Sequence, residues 1–377
     1  MSSWINFFPQ LETELVNRPR TLNAQPQRSG LRVLIVSPTF GRFGGIESFV
    51  FALADSLKSH SDISDVKIVF KKTGPNPIGA LMRKQLDDHA NAQMVPGWSK
   101  QLYSAIARAD IVHCQNPLLD VALFAKAAKI PLVQTIHNWR RTGFNPRVCA
   151  RQLAYRLAAR HWYNSDFVWD SWEPKGRRAT SGKPPVISEL PSGIIPPEER
   201  CGFIFVSRWV PGKGLETLLE AYSRADLDRE KWPLTLLGDG VLRPKIEKQL
   251  LESPIPGVHE MGLVDNQTLN ELIRCSRWMV TPPNTKEDLG LTPIEARHVG
   301  VPCIITRDGG LPEAGGRHAL ICEPGDVEGL RELLERAASM SMEDYRRIAE
   351  ATRQELLQYL KPLTVYPALY RETLAAA

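Results

Sequence analysis

The stretch "LRVLIVSPTFGRFGGIESFVFALADSLKSH" runs from Leu31 to His60. Its first eight residues form a continuous apolar run rich in β-branched side chains, the pattern of a strand buried on both faces. A glycine turn at Gly44-Gly45 follows. Apolar residues then recur at i, i+3 and i+4, the period of an amphipathic helix. Working outward, "VKIVF", "DIVHC", "PLVQTIH" and "DFVWDS" read as further short strands, with helical patterns at 99–108 and 119–128 between some of them. This alternation predicts a parallel sheet with helical crossovers.

The pattern restarts after the proline-rich "PSGIIPPEER" (191–200), which reads as a linker. "CGFIFVSR", "LTLLGDG", "RWMVTPP", "PCIITRDGG" and "HALICEP" are strands, with helices between them, and a last helical stretch spans 343–359. The predicted class is α/β, with two Rossmann-like parallel-sheet domains at 29–195 and 196–355. A segment at 356–377 is expected to pack back towards the first domain, and residues 1–28 read as a loosely docked leader in which Trp4, Phe7 and Phe8 offer apolar surface. Two such domains face a cleft between strand C-termini, where ligands of open α/β sheets bind.

Composition bounds the partners. With 377 residues, 43% hydrophobic and 24% charged, the chain has the make-up of a soluble globular protein. Six scattered cysteines form no metal or disulfide pattern, which suits reduced thiols in a cytoplasmic protein. No run approaches a membrane span. The net charge is +5, yet residues 140–183 hold ten basic and three acidic residues, a net of +7, so the remainder sums to −2.

Three stretches carry chemistry. Gly44 and Gly45 lie between the first strand and its helix, where free N–H groups face an anion. In "SRWVPGKG", Arg208 ends a strand and Lys213 follows five residues later, two cations suited to a diphosphate. In "KEDLGLTPIEARHVGVP" (286–302), Glu287 lies in the loop after a strand. Gly290, Leu291 and Thr292 offer amides at a helix start, and Glu295 follows one turn in. Carboxylates so placed can accept from the paired hydroxyls of a sugar. Thr292 and Glu295 also read as a capping box with Pro293 at the first helical position.

Taken together, Glu287-x7-Glu295 within "EDLGLTPIEA", the following "GVP" and "DGGLPE", Gly44-Gly45, "SRWVPGKG" and "LLGDG" resemble the retaining glycosyltransferases of family 4, which have the GT-B fold. The resemblance covers 31 to about 340. It implies that Glu295 holds the nucleotide ribose, Glu287 the donor sugar, and Arg208 and Lys213 the leaving diphosphate. Gly45 and the amides near Leu291 and Thr292 would cradle the phosphates, and residues 260–264 would meet the base. It also implies an N-terminal acceptor domain, a C-terminal nucleotide-sugar domain, and transfer without metal or cofactor to a saccharide or lipid-linked acceptor of cell-envelope synthesis. "DLD" (226–228) follows a helix and reads as a solvated loop.

The chain departs from the family's D-x-x-H-x-H at "DIVHCQNP", where Gln115 stands in the second histidine's place. Gln115 and His137 are candidate sugar contacts. His113 is a third, although it is expected to face the other side of its strand and be structural. A GT-B epimerase or phosphorylase, and a non-catalytic sugar-nucleotide-binding relative, are the competing readings. Finally, Arg147, Arg151, Arg156 and Arg160 are read on one broad side of a helix, with Trp162 as apolar surface. This predicts peripheral contact with an anionic membrane at the cytoplasmic face. No nucleic-acid recognition module is visible.

Overall fold

A computed structural model describes residues 30–75, 77–143, 145–187 and 190–376; the leader reading, with Trp4, Phe7 and Phe8, lies outside them. The chain folds into two all-parallel sheets. In the first, β1 (Leu31–Thr39), β2 (Ile63–Lys72), β3 (Ala92–Val95), β4 (Ile111–Gln115), β5 (Leu132–Ile136), β6 (Arg160–Tyr163) and β7 (Ser181–Gly182) lie in the order β3-β2-β1-β4-β5-β6-β7. In the second, β8 (Cys201–Val206), β9 (Leu234–Leu237), β10 (Val258–Gly262), β11 (Ser276–Thr281), β12 (Cys303–Thr306) and β13 (Leu320–Cys322) lie in the order β10-β9-β8-β11-β12-β13. Each order reverses beside its first strand, and a reversal of this kind opens a crevice at the strand C-termini. The GT-B fold is therefore present.

The apolar runs are continuous because helices cover both faces of each sheet. Val33 and Ile35 pack against Phe49 and Leu53 of the helix Gly45–Lys58, while Leu34 and Val36 face Leu102 and Phe124 on the other side. Phe203 and Phe205 meet Leu218 and Tyr222 in the second domain. Each fully buried side chain of this kind contributes about 1.5–3 kcal/mol.

"DFVWDS" is the helix Asp166–Trp172, capped by Ser165, and the strand lies just before it at β6. The chain passes to the second domain through 183–200 and returns after the helix Met342–Tyr359. The last helix, Tyr366–Ala375, packs on the first sheet. There Tyr366 and Tyr370 are buried among Phe49, His113 and Trp162, and Glu372 pairs with Arg160 at 3.3 Å.

Candidate active site

Two adjoining cavities open where the C-terminal edges of the sheets face each other. The first, about 310 Å³, is lined by Gly45, His137, Asn164, Lys213, Glu287 and Asp288 among others. The second, about 360 Å³, is lined by Gly44, Gly45, Ser48, Asn270, Thr292 and Glu295 among others. Gly45, Val186, Val206, Leu291 and Thr292 belong to both. Two helix N-termini, Gly45–Lys58 from one domain and Leu291–His298 from the other, thus meet between the cavities, beside the apolar Val186 and Val206. A Cβ at position 45 would lie 2.6 Å from Leu291 Cδ1, so the Leu291 side chain rests directly on this glycine. Both ends carry the positive pole of the helix dipole, although at the first the Gly44 and Glu47 amides already serve the Glu47 carboxylate.

Lys213 and Glu287 form an ion pair at 2.5 Å on the wall of the first cavity. The loop carrying Lys213 is tied down by Asn284 N and Thr285 Oγ1, which both donate to Gly212 O. The loop carrying Glu287 rests on "DGG": Gly310 N donates to Glu287 O, and Gly309 packs so close that a Cβ would lie 2.1 Å from that oxygen. Gly290 lines the first cavity as the residue before the helix. Arg208, after β8, is exposed and lines neither cavity.

Glu295 lines the second cavity. The capping box does not form: the helix begins at Leu291, Thr292 is already helical, and no side chain caps Gly290. Glu295 instead turns into the cavity, where burial pushes its carboxyl up to about 7.

The opposite wall is neutral. His137 is buried and its Nε2 lies 2.8 Å from Gln115 Oε1; burial drives its pKa down to about 3, so the ring is uncharged. With that oxygen accepting, the ring proton sits on Nε2 and Nδ1 is left an acceptor. Gln115 is fully buried behind His137 rather than on the cavity wall. Asn164 Oδ1 and Thr281 Oγ1, on residues that line this cavity, are buried without a hydrogen-bond partner in the protein, as is Gln115 Nε2 behind His137.

His113 is not a sugar contact, and it does not face away from Gln115. Residues two apart share a face of a strand. His113 lies one pleat deeper, with Nδ1 2.8 Å from the Tyr370 hydroxyl and Nε2 2.7 Å from Thr135 Oγ1. The C-terminal helix thus seals it off, and burial drops its pKa to about 3.

The membrane quartet also breaks up. Arg147, Arg151 and Arg156 lie on the helix Pro146–Arg156, but Arg160 and Trp162 belong to β6, and Trp162 is 2% exposed. At 100° per residue Arg156 lies half a turn around from Arg147, not on its side. Arg151 is half-buried, where burial and the Arg141 guanidinium lower its pKa. Much of the basic surplus is paired: Arg177 with Asp166 and Asp170, Arg178 with Glu173, and Lys183 with Asp166 and Glu313. Among the described residues, no helix is long and apolar enough to cross a membrane.

Asp288 lines the first cavity and accepts from Trp139 N at 2.7 Å and from Asn138 Nδ2 at 2.9 Å. Glu313 accepts from Asp166 N and from Lys183 across the domains. Glu47, buried behind the glycine turn, is held up in pKa by burial against hydrogen bonds from Thr39 and nearby backbone.

The model of the family "Glycosyl transferases group 1" matches residues 189–355, and that of "Glycosyltransferase Family 4" matches 43–179. The chain is a GT-B glycosyltransferase of group 1. It is 29% identical over 154 residues to O-antigen chain mannosyltransferase B of Escherichia coli, a match spanning 39% of either chain. It is 26% identical over 291 residues to the D-rhamnosyltransferase WbpZ of Pseudomonas aeruginosa, covering 71% of this chain and 74% of that protein. The fold of this glycosyltransferase is similar to that of Anabaena HepE, crystallised with UDP and glucose: the TM-score is 0.72 at 15% identity, over 92% of this chain and all of that one.

Proposed function

We propose that this glycosyltransferase moves a sugar, with retention and without a metal, from a nucleoside-diphosphate sugar to a saccharide or lipid-linked acceptor of cell-envelope synthesis. The observation that carries the reading is the pair of carboxylates in adjoining cavities, Glu287 and Glu295, on either side of two converging helix N-termini. The diphosphate bridges the two cavities, where amides and Lys213 offset its charge. The ribose lies with Glu295 and the sugar with Glu287 and His137. The bond from the anomeric carbon to the phosphate oxygen breaks, and the acceptor hydroxyl adds on the same face. Its proton passes to the departing phosphate oxygen. Lys213 and the helix ends supply the positive charge that the leaving group needs, and Arg208, on the same loop after β8, is a further cation for it.

The relatives favour this pathway: one acts on O-antigen chains by its name, and another is a GDP-mannose-dependent phosphatidylinositol monomannoside mannosyltransferase of Corynebacterium glutamicum. Contact with an anionic leaflet is part of the proposal, now resting on exposed Arg156 and Leu153, the latter 46% exposed. The test of the reaction is NMR of the product's anomeric configuration, with UDP-glucose, GDP-mannose and ADP-glucose as donors, in EDTA. Turnover of one donor to the α-anomer supports the reading. An inverted product, or activity only with added metal, contradicts it.

A further inference from the structure

Asp288 stands between the sugar-side acid Glu287 and the phosphate-side amides at Gly290 and Leu291, and it points the other way. Its carboxylate crosses the cleft to the loop after β5. Oδ1 accepts the Trp139 backbone N–H at 2.7 Å and Oδ2 accepts the Asn138 side-chain amide at 2.9 Å. Its own carbonyl accepts the Ser165 hydroxyl at 2.5 Å, from the cap of the helix Asp166–Trp172. Three donors from the first domain thus converge on one residue of the second.

This loop also carries His137, whose backbone N–H donates to Asn116 Oδ1 at 2.9 Å and whose ring faces the first cavity. His137 O in turn accepts from Asn164 Nδ2 at 3.1 Å, beside Ser165. On the other side, Glu287 is fixed by Lys213 and by Gly310. The walls of the cavity are therefore set against each other through residue 288. A carboxylate suits the place: both of its oxygens accept, and both facing groups donate.

We propose that Asp288 is a positioning residue for glycosyl transfer, holding the 137–139 loop of the first domain in register with Glu287 so that a donor sugar meets both walls at once. The proposal rests on the donor site assigned above. The effect belongs to the reacting geometry rather than to nucleotide affinity, since a misplaced wall costs rate where reacting atoms must align. Glu295 and the second cavity lie outside the clasp.

Two measurements test it in the full chain. In hydrogen exchange, Asp288→Ala should speed exchange of the Trp139 amide at least about tenfold, since its acceptor is gone; an unchanged rate overturns the clasp. In turnover of the donor that wild type consumes, Asp288→Ala and Asn138→Ala should each lower kcat by about 10–100-fold while donor KM moves less than about threefold. Combining them should cost no more than Asp288→Ala alone. Asn138→Asp sets two carboxylates face to face and should be the slower of the Asn138 variants, and adding Asp288→Asn should restore activity. Effects that multiply, or a change confined to KM, overturn the positioning role. Lys213→Ala is the control: if it too leaves kcat unchanged, the donor-site assignment has failed instead.

Discussion

The two walls of the cleft are built from different chemistry. The C-terminal wall is ionic, with Lys213 and Glu287 paired and Glu295 titrating at about 7. The N-terminal wall is neutral, with His137 held uncharged and backed by Gln115, beside Asn138 and Asn164. A leaving diphosphate gains charge and needs fixed charge opposite it. A sugar needs direction rather than charge, and neutral donors and acceptors supply that. Under the proposed function a glutamine can stand behind His137, because a sugar on that side requires no cation.

Predictions about the two walls should therefore differ in size. Lys213→Ala should lower kcat by about 10²–10³, because a fixed cation at developing charge is lost. Donor affinity should change less, and steady-state kinetics with purified protein reads both. A change within twofold would place the charge elsewhere and erase the contrast. His137→Ala should cost about fivefold in kcat/KM, as one neutral hydrogen bond is worth about 1 kcal/mol. That loss should be constant from pH 6 to 8, because the ring is already neutral throughout, with a pKa of about 3. A loss that grows on acidification would mean a charged imidazole at work. The smallest effect lies outside the cleft. Sedimentation with anionic liposomes should show salt-sensitive binding that an Arg156→Glu, Leu153→Ser variant weakens a few-fold. Equal binding to neutral vesicles would remove the membrane from the account.

The ionic wall was readable in the sequence because backbone carries it. A strand, a glycine turn and a helix start fix where Lys213, Glu287 and Glu295 go, and the spacing is local. The neutral wall was read only in part. His137 is legible at the end of its strand, but Asp288 inside "EDLG" is not, since its partners Asn138 and Trp139 lie about 150 residues away. Pairings at that distance leave no periodic trace. The arginine pattern misled for a related reason. A helical spacing was carried past Arg156, where the helix stops, into β6, where strand pairing with Thr135 turns Trp162 into the core. His113 was misplaced by a slip in strand alternation, and its cover, Tyr370, comes from the far end of the chain.

In the proposed function Glu295 holds the nucleotide as a carboxylate, and calorimetric titration of UDP-glucose, GDP-mannose and ADP-glucose between pH 6 and 8 reads this. The raised pKa means that the free protein loses the accepting form as pH falls through about 7. Affinity for the bound donor should therefore rise about tenfold from pH 6 to pH 8, as linkage requires for one proton released near pH 7. In Glu295→Gln the dependence should flatten, with affinity at pH 8 about tenfold weaker than wild type. Binding of none of the three, or the same pH profile in both proteins, would contradict the account.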